Sequence, residues 1–490
     1  HKFMDEIAEV VVDKYDSSMK AEHGTGRNIA PYVRKEWGDE AYAIMQEIKS
    51  IFDPKGILNP GVILNEDPNI HVSNLKPNPA THELVDKCME CGFCESKCVA
   101  EGLTLSPRQR VAVYREIHSL KTTGQEPHRA AELQKNYQYY GMDTCATDSL
   151  CAMRCPVKVD TGKMIKVLRS QTNSKCSEKI AMTLANNIKC VTSLGRFGLS
   201  ALYYIRVVLG KRLFGAIARG LRTITFGLVP LWTEPFPKGN RHSTFSKPVA
   251  KVNEGEENNI VYFPSCITRT MGTAYSYSKE VEITELTKRL LTKAGYNIIY
   301  PKNLDKLCCG MAFSSKGFVD AGKKLSDELE AALLEASQGG KYPVLCDMSP
   351  CLYTMHSNMD GGALKLYEPA EFADKFLLPR LNIRQSDEKV AVFSVCSAKK
   401  LAVDQTLANI ARACAKEVVV VDSNCCGFAG DKGMTHPELN KYALRKLRAQ
   451  INEKGIRTGY SNSRTCEIGL QTNSGIPYRS IVYLGNSCTK

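Results

Sequence analysis

The chain has 490 residues, of which 43% are hydrophobic and 24% are charged, and its formal net charge is +13. These values are typical of an ordinary protein with several domains, and they exclude a disordered chain and a small disulfide scaffold. No apolar run reaches the roughly 18 residues that a membrane-spanning helix needs. The opening segment, HKFMDEIAEVVVDKY, has the pattern of an amphipathic helix and does not begin with Met, so we expect the C-terminal part of a longer protein.

Two polar segments divide the chain into parts with different periodicity. Residues 65–83 and 234–259 are rich in Pro, Asn, Gly or Glu and are predicted linkers, the second of them mobile. Between them the apolar pattern is helical, and after the second linker short β-branched runs alternate with amphipathic helices. We therefore expect a mixed α+β chain with five parts: a tail at 1–65, a helical domain at 66–180, a basic helical segment at 181–235, and α/β domains at 259–380 and 388–490.

Seven cysteines of the helical domain fall into two runs with one shared spacing. The first run, CMECGFCESKC, has the spacing C-x2-C-x2-C-x3-C, which wraps a tight loop around one iron–sulfur cubane. The second run, DTCATDSLCAMRCPV, keeps that spacing and the following proline but carries Asp148 in place of the second cysteine. A zinc site, the alternative, usually has two separated ligand pairs. The predicted metal ligands are Cys88, Cys91, Cys94, Cys98, Cys145, Asp148, Cys151 and Cys155.

In two-cluster ferredoxins the fourth cysteine of each run binds the other cluster. We therefore expect a ferredoxin-like module in which the two runs exchange one ligand each. The predicted sets are Cys88, Cys91, Cys94 and Cys155 for a first 4Fe-4S cluster, and Cys98, Cys145 and Cys151 for a second cluster.

The role of Asp148 has three interpretations. Its carboxylate ligates one iron of a 4Fe-4S cluster, or the site loses that iron and rests as 3Fe-4S with three cysteines, or Asp148 is only a helix N-cap beside Ser149. Its place in the ligand spacing favours a position near the iron. In either cluster form the reduction potential is expected to differ from that of the first cluster, because the ligand and the net charge set it.

A basic and apolar stretch follows the helical domain. Residues 181–233 contain no acidic side chain, but they contain seven Lys or Arg side chains among Leu, Ile, Phe and Tyr. One interpretation is an interfacial amphipathic helix that rests on anionic lipid, with Trp232 near its end. The other is a pair of helices packed on the protein, whose cations balance anionic clusters.

The last part of the chain is internally duplicated. IVYFPSC (260–266) matches VAVFSVC (390–396), and KLCCGMAFSSKG (306–317) matches SNCCGFAGDKG (423–433). CDMSPCLYTM (346–355) stands where SRTCEIGL (463–470) stands in the second copy. We therefore expect two similar α/β Cys-Cys-Gly domains that face each other across a pseudo-twofold axis.

A Cys-Cys-Gly turn places two thiolates side by side and leaves the backbone open to a bulky ligand. Open α/β sheets bind ligands at the carboxyl ends of their strands, and a strand-end cysteine beside a helix N-terminus is expected to have a lowered pKa. Packing cysteines or a redox disulfide are the alternatives, and Cys346 is an additional candidate. We expect Cys176, Cys190, Cys414 and Cys488 to be packing residues. The predicted cofactor-adjacent residues are Cys266, Cys308, Cys309, Cys351, Cys396, Cys425, Cys426 and Cys466.

The segment AEHGTGRNIAPYVRKEWGDEAYAIMQEIKSIFDPKGILNPGVIL (21–64) resembles the C-terminal end of FAD-linked oxidases of the vanillyl-alcohol-oxidase superfamily. The remainder resembles the iron–sulfur subunit of glycolate oxidase, whose Cys-Cys-Gly domain also occurs in heterodisulfide reductase. The whole chain is similar to fused FAD/iron–sulfur proteins of D-lactate dehydrogenase type. It departs from heterodisulfide reductase at Met348 and Ser463, where that family has the first cysteine of a C-x2-C pair.

By this resemblance, Glu22 is a metal ligand, His23 is the catalytic base and Asn59 lies near the flavin. A base at this place removes the hydroxyl proton of the substrate while a hydride leaves for the flavin. The resemblance also implies that FAD and a divalent metal belong to the full-length protein, and that the FAD-binding domain lies upstream of His1.

The sequence thus predicts the electron-transfer portion of a dehydrogenase that oxidises a D-2-hydroxy acid of the D-lactate or glycolate class. Electrons would pass through the two clusters, and through a further cluster if the Cys-Cys-Gly domains hold one, to quinone or an electron-carrier protein. The expected location is cytoplasmic, with contact to the membrane surface and no nucleic-acid partner. The alternatives are a thiol/disulfide redox enzyme of heterodisulfide-reductase type and a non-catalytic electron-carrying subunit.

Overall fold

A computed structural model describes residues 2–20, 26–75, 78–241, 258–359 and 362–489. The chain divides into two compact units, His1–Pro79 and Ala80–Lys490. In the first unit the helices are α1 (Lys2–Ala8), α2 (Gly26–Ile29) and α3 (Val33–Phe52). A loop follows α3, and the buried Asp53 carboxylate holds it by accepting hydrogen bonds from the backbone N–H groups of Ile57 (3.0 Å) and Leu58 (2.8 Å).

The second unit opens with a helical part, in agreement with the periodicity of this region. Its helices are α4 (Pro107–Thr123), α5 (Pro127–Tyr137), α6 (Leu150–Arg154), α7 (Thr161–Thr172), α8 (Lys175–Asn186) and α9 (Ile188–Ile224). Helix α4 begins at a capping box, because the Ser106 hydroxyl accepts from Gln109 N–H while the Gln109 side chain accepts from Ser106 N–H. Val111 and Ile117 of α4 pack with Met164 and Ile165 of α7 in one buried apolar cluster.

Two parallel four-stranded sheets follow, one in each Cys-Cys-Gly copy. The first contains β2 (Asn259–Phe263), β4 (Asn297–Ile299), β5 (Val344–Cys346) and β6 (Leu366–Tyr367) in the order β4-β2-β5-β6. The second contains β7 (Ser386–Phe393), β8 (Ala415–Val420), β9 (Thr458–Ser461) and β10 (Tyr478–Ser480) in the order β8-β7-β9-β10. In both sheets the first strand of the copy lies between its second and third strands, so the two copies share one topology.

Short and medium helices cover the two sheets. In the first copy they are α10 (Cys266–Thr270), α11 (Ile283–Lys293), α12 (Met311–Ser314), α13 (Val319–Ala336), α14 (Ser349–Asn358) and α15 (Pro369–Phe372). In the second copy they are α16 (Cys396–Lys400), α17 (Asp404–Cys414), α18 (Lys432–Thr435), α19 (Pro437–Ala443), α20 (Leu447–Glu453), α21 (Arg464–Ser474) and α22 (Ile481–Cys488). Strand β2 is buried along its whole length because helices lie on both faces of a parallel sheet.

The two copies face each other, and polar side chains cross between them. The Ser397 hydroxyl at α16 lies 2.8 Å from the Ser349 hydroxyl at the start of α14. Arg464 of the second copy donates to the Tyr277 hydroxyl of the first copy at 2.7 Å. Ile283 and Leu286 of α11 share one buried cluster with residues of the second sheet. The interface is therefore part of the core of the second unit.

The predicted linker at 234–259 needs one correction. Residues Pro237–Gly239 form a strand, β1, which pairs antiparallel with β3 (Met271–Ala274). The Pro and Gly content suggested a loop, but the strand lies at the edge of a two-stranded ribbon, where a proline without an N–H is tolerated. Residues 242–257 of this segment lie outside the described part of the chain.

The basic stretch forms α8 and the long helix α9, which bends at Gly210 (φ 72°, ψ 162°). Arg206 is buried between the rings of Tyr275 and Trp232, at 3.5 and 5.5 Å from their centres. Other side chains of α9 and the turn after it are exposed, among them Leu194, Phe197, Tyr204, Val208, Ile224, Phe226 and Leu228. One face therefore packs on the protein, as the second interpretation predicts, and the other face is exposed; its contact with anionic lipid stays a prediction. Among the described helices, none is long and apolar enough to span a membrane.

Candidate metal centres

The structure brings the predicted ligands of the first cluster together around one cavity. The cavity is lined by four thiols. Two of them, Cys91 and Cys94, belong to the tight turn at Gly92, which has a left-handed φ of 87°. Cys155 joins this group although it belongs to the second run, as the exchange of fourth cysteines predicts. The four are Cys88, Cys91, Cys94 and Cys155.

A second cavity lies next to it and holds the other predicted group. Its lining includes three thiols and one carboxyl group: Cys98, Cys145, Cys151 and Asp148. Cys98 comes from the first run, so each run contributes one thiol to the cavity of the other. Iron binding at the two cavities stays a prediction, but the grouping of the side chains is the one that the spacing requires.

The donor set fits an iron–sulfur cluster better than a single ion. A tetrahedral zinc site needs four ligands about 2.3 Å from one point. Over the ranges that the structure covers, no three His, Cys, Asp or Glu side chains converge closely enough to hold one metal ion. The thiols line each cavity instead, and several ligands around one cavity are what a cluster of several irons requires.

Burial makes these thiols costly to ionise without a bound cation. It raises the pKa of Cys94 to about 11, and it raises the pKa values of Cys88 and Cys98 as well. A metal centre reverses this balance, because coordination deprotonates a thiol outright. The chain also supplies backbone donors, since Cys155 Sγ accepts from Val159 N–H at 3.3 Å and Cys145 Sγ accepts from Thr147 N–H at 3.4 Å.

Asp148 has one satisfied and one unsatisfied oxygen. Its Oδ1 accepts from Leu150 N–H at 3.1 Å, the first N–H of α6, although the N-cap position itself is Ser149 and not, as the capping interpretation predicts, Asp148. Its Oδ2 is buried and finds no N–H or O–H donor among the described residues; the Cys425 thiol is the polar neighbour of the carboxyl group. Burial raises the pKa of Asp148, and the neighbouring Cys425 thiol, Lys400 and Arg110 oppose this rise. An orphan oxygen beside three thiols is what an open ligand position needs, so the capping and ligand roles are compatible.

Two buried arginines were not predicted from the sequence. Arg110, 1% exposed, donates to the carbonyl of Gly141 at 2.7 Å and points its Nη1 at Cys98 Sγ, 3.6 Å away. Arg115 donates to the carbonyl of Cys88 at 2.9 Å and pairs with Glu90 at 3.0 Å. Each arginine thus holds one ligand loop. Both look like ordinary polar positions of helix α4 in the sequence, and only their contacts show this role.

Within each Cys-Cys-Gly copy the cysteines lie close together in pairs, and the same pairs occur in both copies. Cys266 Sγ lies 3.4 Å from Cys308 Sγ in the first copy, and Cys426 Sγ lies 3.0 Å from Cys466 Sγ in the second. Cys309 interacts with Cys351, and Cys396 with Cys425, which completes the same two pairs in both copies. Every predicted cysteine of the two copies therefore takes part in a thiol pair.

The glycine of each Cys-Cys-Gly turn is required by its surroundings. Gly310 and Gly427 have left-handed φ values of 76° and 69°. A Cβ at Gly310 would meet the carbonyl oxygen of Gly322 at 2.1 Å, so no other residue fits without a shift of the backbone. The turn brings both thiols of the pair to the same side of the loop.

The expected lowering of the strand-end cysteine pKa is wrong. Hydrogen bonds to the neighbouring thiols of Cys308 and Cys425, with burial, raise the pKa values of Cys266 and Cys396 well above their usual range. A lowered pKa, about 6, occurs instead at Cys309, whose thiolate accepts from Cys308 and Cys351. The N-terminus of a short helix stabilises the thiolate and lowers the cysteine pKa, but burial and a neighbouring thiol raise the pKa by more.

The remaining cysteines divide into two kinds. Cys346 is fully buried beside Cys351, where the second copy has Ser461, so the group of thiols around the Cys-Cys-Gly turn has one more member in the first copy. Cys414 and Cys488 are buried and close to each other, as packing residues would be. Cys176 and Cys190 are exposed, and their predicted packing role is therefore wrong. They lie on the open sides of α8 and α9, which the apolar pattern did not reveal.

Of the three residues predicted near the substrate and the flavin, only Asn59 lies in the described part of the chain. Glu22 and His23 lie outside the described residues. Asn59 is exposed in the loop after α3 and adopts a left-handed φ of 44°. Asp53 fixes the start of this loop, and its pKa falls to about 2 because Lys49 and the backbone N–H groups of Leu58 and Ile57 donate to it. Asp53 thus ties the start of the loop that carries Asn59 to the end of α3.

Three family models match parts of the chain. Residues 1–63 match the C-terminal domain of FAD-linked oxidases, and residues 84–159 match a 4Fe-4S dicluster domain. A cysteine-rich domain matches twice, at residues 260–356 and 390–471, which confirms the duplication. The predicted cysteine runs and the Cys-Cys-Gly pattern thus fall inside domains of known type.

Curated relatives are similar over parts of their length. A D-2-hydroxyglutarate dehydrogenase of Haemophilus influenzae is 28% identical over 207 residues, which are 32% of this chain and 20% of that protein. The C subunit of the anaerobic glycerol-3-phosphate dehydrogenase of Escherichia coli K12 is 24% identical over 185 residues, 34% of this chain and 46% of that relative. A mitochondrial D-lactate dehydrogenase (cytochrome) of Kluyveromyces lactis is 39% identical over 56 residues, 11% of this chain and 10% of that protein.

The chain therefore spans less than half of each of these relatives, and the family resemblance predicted from the sequence is confirmed. The chain combines a part that matches the C-terminal domain of FAD-linked oxidases with a 4Fe-4S dicluster domain and two cysteine-rich domains. It is homologous to hydroxy-acid dehydrogenases and to the C subunit of glycerol-3-phosphate dehydrogenase.

Proposed function

We propose that the chain is the electron-transfer portion of an FAD-linked dehydrogenase that oxidises a small D-2-hydroxy acid of the D-lactate or glycolate class. When bound, iron–sulfur clusters supply one-electron steps between a two-electron flavin and an acceptor. One observation carries the proposal: the second ligand cavity and the second cysteine-rich domain share a buried cluster. Its members are Val99, Ala100, Leu150, Cys425 and Leu439.

Hydrogen bonds fix this junction. Asn424, next to Cys425, donates to the carbonyl of Ser96 at 2.8 Å and accepts from Lys97 Nζ at 3.4 Å. Ser96 and Lys97 immediately precede Cys98, a proposed ligand of the second cluster. The loop that carries the Cys-Cys-Gly pair is thus tied to the loop that carries a cluster ligand. These contacts keep the two loops, and the centres that they carry, at a fixed separation.

The ligands in this proposal are assigned by cavity. Cys88, Cys91, Cys94 and Cys155 hold a 4Fe-4S cluster at the first. At the second cavity, Cys98, Cys145, Cys151 and Asp148 would hold a 4Fe-4S cluster, or the three cysteines alone would hold a 3Fe-4S cluster. Arg110 and Arg115 hold the ligand loops and offset the negative charge of the thiolates.

The substrate side rests on the relatives and on the first unit. Relatives named for D-2-hydroxyglutarate and D-lactate oxidation support a hydroxy-acid substrate. Glu22 would bind a divalent metal and His23 would take the hydroxyl proton, with FAD held by the full-length protein near Asn59. We propose 1–65 as the tail of the flavin domain and 66–180 as the cluster domain. The basic segment at 181–235 then separates it from the cysteine-rich domains at 259–380 and 388–490.

The open face of α9 supports a location on the cytoplasmic face of a membrane. Leu194, Phe197, Tyr204 and Val208 are each between 65% and 83% exposed. They recur at intervals of three, seven and four, so they lie on one side of the helix. No acidic residue occurs from Ala181 to Thr233, which favours anionic lipid over a basic or neutral partner. A quinone would then receive the electrons at this surface.

Steady-state assays of the full-length protein test the proposal. We expect flavin reduction by D-lactate, glycolate or D-2-hydroxyglutarate, followed by reduction of a quinone analogue. Cys98→Ala should preserve flavin reduction but slow the transfer to the quinone, whereas the exposed Cys176→Ala serves as the matched control. A full-length protein whose flavin none of these acids reduces would contradict the substrate assignment.

The close thiol pairs favour a second candidate, a thiol/disulfide redox enzyme of heterodisulfide-reductase type. The sulfur separations of 3.4 Å and 3.0 Å place two thiols together in each copy. This candidate predicts that reduced protein cleaves a mixed disulfide substrate and loses that activity in Cys309→Ser. A protein with no such cleavage, but with reduction of a quinone analogue, is the electron-transfer portion.

A further inference from the structure

A basic residue recurs at one position of both cysteine-rich copies. Arg269 follows the strand-end Cys266 by three residues, and Lys399 follows Cys396 by three. Each lies in a helix of five residues, α10 or α16, which begins at that cysteine. The two residues are therefore equivalent by sequence position and by place in the fold.

Arg269 ties the strand end to the Cys-Cys-Gly loop. It is 4% exposed, and its guanidinium donates to three carbonyl groups. Nε donates to Pro264 at 3.0 Å, Nη1 to Leu304 at 2.5 Å and Nη2 to Leu307 at 2.5 Å. Leu307 immediately precedes Cys308, so the arginine fixes the backbone from which the thiol pair projects.

Lys399 makes the same connection in the second copy. Its Nζ donates to the carbonyls of Ser423 at 2.6 Å and Asn424 at 2.9 Å. Asn424 immediately precedes Cys425, as Leu307 precedes Cys308. An arginine and a lysine with different side-chain lengths thus reach the same point of the same loop. Packing alone does not require a cation at this point in two sequences that have otherwise diverged.

The partners of these cations are neutral. Among the described residues, neither Arg269 nor Lys399 forms a salt bridge with a carboxylate. Asp305 and Asp347 face Arg269, but Asp347 accepts instead from Ser265 N–H, Tyr262 and Thr268. Asp404 and the cation Lys97 face Lys399 at longer range. Arg269 is buried and Lys399 is half-buried, and a cation withdrawn from water without a paired carboxylate is destabilising unless another negative group balances it.

The nearest groups that can become negative are the thiols. Cys266 and Cys308 face Arg269, and Cys396 and Cys425 face Lys399. In the second copy Lys400 and the Asp148 carboxyl group also face Cys396, with opposite effects on its charge. We propose that Arg269 and Lys399 are equivalent positioning residues that hold the Cys-Cys-Gly loop and place one fixed positive charge beside each thiol pair, so that the pair can carry an anionic metal–sulfur group. The part of this inference that concerns a bound group rests on the proposed function.

The charge and the bound group can be tested separately. The first measurement uses the full chain freed of metal by a chelator under reducing conditions. The alkylation rates of Cys266 and Cys396 by iodoacetamide are followed at one fixed pH by peptide mass spectrometry. Lys399→Gln should slow Cys396 by up to roughly tenfold, a rise of at most about one pKa unit because Lys400 still faces this thiol, and leave Cys266 unchanged. Arg269→Gln should do the reverse.

Two variants separate charge from structure. Lys399→Arg keeps the charge and should retain the wild-type rate at Cys396. If Lys399→Gln only loosened the loop, the Cys396 thiol would become more exposed and its alkylation would be faster, not slower. Lys416→Gln, a change of an exposed lysine in β8 of the same copy, is the matched control. Equal rates in wild type and Lys399→Gln, or slowing in Lys399→Arg to the same degree, would overturn the inference.

The second measurement is an EPR-monitored redox titration of the metal-loaded chain. Lys399→Gln should shift the midpoint of one signal to lower potential, because loss of a positive charge disfavours the reduced form, and Lys399→Arg should restore it. A chain without any signal beyond those of the dicluster domain would contradict a metal group in the copies, while the alkylation rates still decide whether the cations act on the thiols.

Discussion

The carboxyl group of Asp148 lies beside the thiol of Cys425, so one side chain joins the second ligand cavity to the second cysteine-rich domain. Oδ1 accepts from the first N–H of α6, while Oδ2 is buried without an N–H or O–H donor among the residues described. The aspartate therefore has one oxygen fixed by the fold and one oxygen available to a metal. This arrangement accounts for an aspartate at a cysteine position of an otherwise regular run.

Asp148→Cys should turn the second cluster into an ordinary four-cysteine 4Fe-4S cluster. A thiolate at this position is a softer ligand than a carboxylate and retains the fourth iron more firmly. We expect the EPR signal of a 3Fe-4S cluster in air-oxidised wild type to disappear in the variant. Asp148→Asn keeps the cap at α6 without the charge and serves as the control. An EPR spectrum that is the same in Asp148→Cys and wild type would restrict Asp148 to its capping role.

The exchange of ligands between the two runs gives a second prediction. Cys155→Ala should remove the first cluster and spare the second, although Cys155 belongs to the second run. Cys98→Ala should do the opposite, because Cys98 lines the second cavity. EPR spectra of the reduced variants distinguish the two signals, and Cys190→Ala controls for loss of an exposed thiol. Loss of the second signal in Cys155→Ala, with the first intact, would mean that each run binds its own cluster.

Several features of the fold were accessible from the sequence because they depend on local patterns. The ligand spacing predicted which thiols meet, since so few residues between cysteines leave little conformational choice. The matched strand-Cys and Cys-Cys-Gly features predicted two copies, and both sheets have the same strand order. The family resemblance also predicted that the tail at 1–65 comes from an FAD-linked oxidase, and the match of residues 1–63 to the C-terminal domain of that family agrees with this.

Other features depend on distant contacts and leave little trace in the sequence. Arg110 and Arg115 look like surface residues of a polar helix, but the ligand loops fold over them. The strand at Pro237–Gly239 forms only because β3 offers a pairing edge. The cations at 269 and 399 become visible in the sequence only when the two copies are aligned from their strand-end cysteines.

Glu368 gives a prediction for the dependence of stability on pH. It is buried between the copies, it accepts from Ala370 N–H at 2.7 Å and Glu371 N–H at 3.1 Å, and it contacts Asn462 of the second copy. Burial raises its pKa from 4.5 to about 7. The folded protein therefore binds this proton more tightly than the unfolded chain, and stability falls as the pH rises from 4.5 to about 7.

Glu368→Gln should remove this fall, which amounts to roughly 3 kcal/mol from the difference between the two pKa values. Urea unfolding followed by circular dichroism at about pH 5 and about pH 7.5 measures the change. Glu335→Gln, at an exposed carboxylate of α13, is the control and should behave as wild type. An equal loss of stability in Glu368→Gln and wild type over this range would show that the carboxyl group is ionised throughout.

The open face of α9 predicts binding to anionic membranes. Phe197→Gln combined with Val208→Gln should weaken sedimentation with phosphatidylglycerol vesicles at least about tenfold, because each apolar side chain contributes on the order of 1.5 kcal/mol on burial. Val319→Gln changes an equally apolar exposed side chain of α13 and should leave binding unchanged. Wild-type binding should also fall with added salt and be weak for phosphatidylcholine vesicles. Equal binding to both lipids would contradict an electrostatic contribution of the basic segment.

The most direct test of the central claim is the iron and acid-labile sulfide content of the chain, measured together with EPR spectra of the oxidised and reduced protein. The two clusters of the dicluster domain should give about seven to eight irons and about eight sulfides, with more if the cysteine-rich copies hold a further group. We also expect two cluster signals that broaden each other through magnetic interaction. Zinc in place of iron, with no acid-labile sulfide and no EPR signal after reduction, would contradict the proposed electron-transfer function.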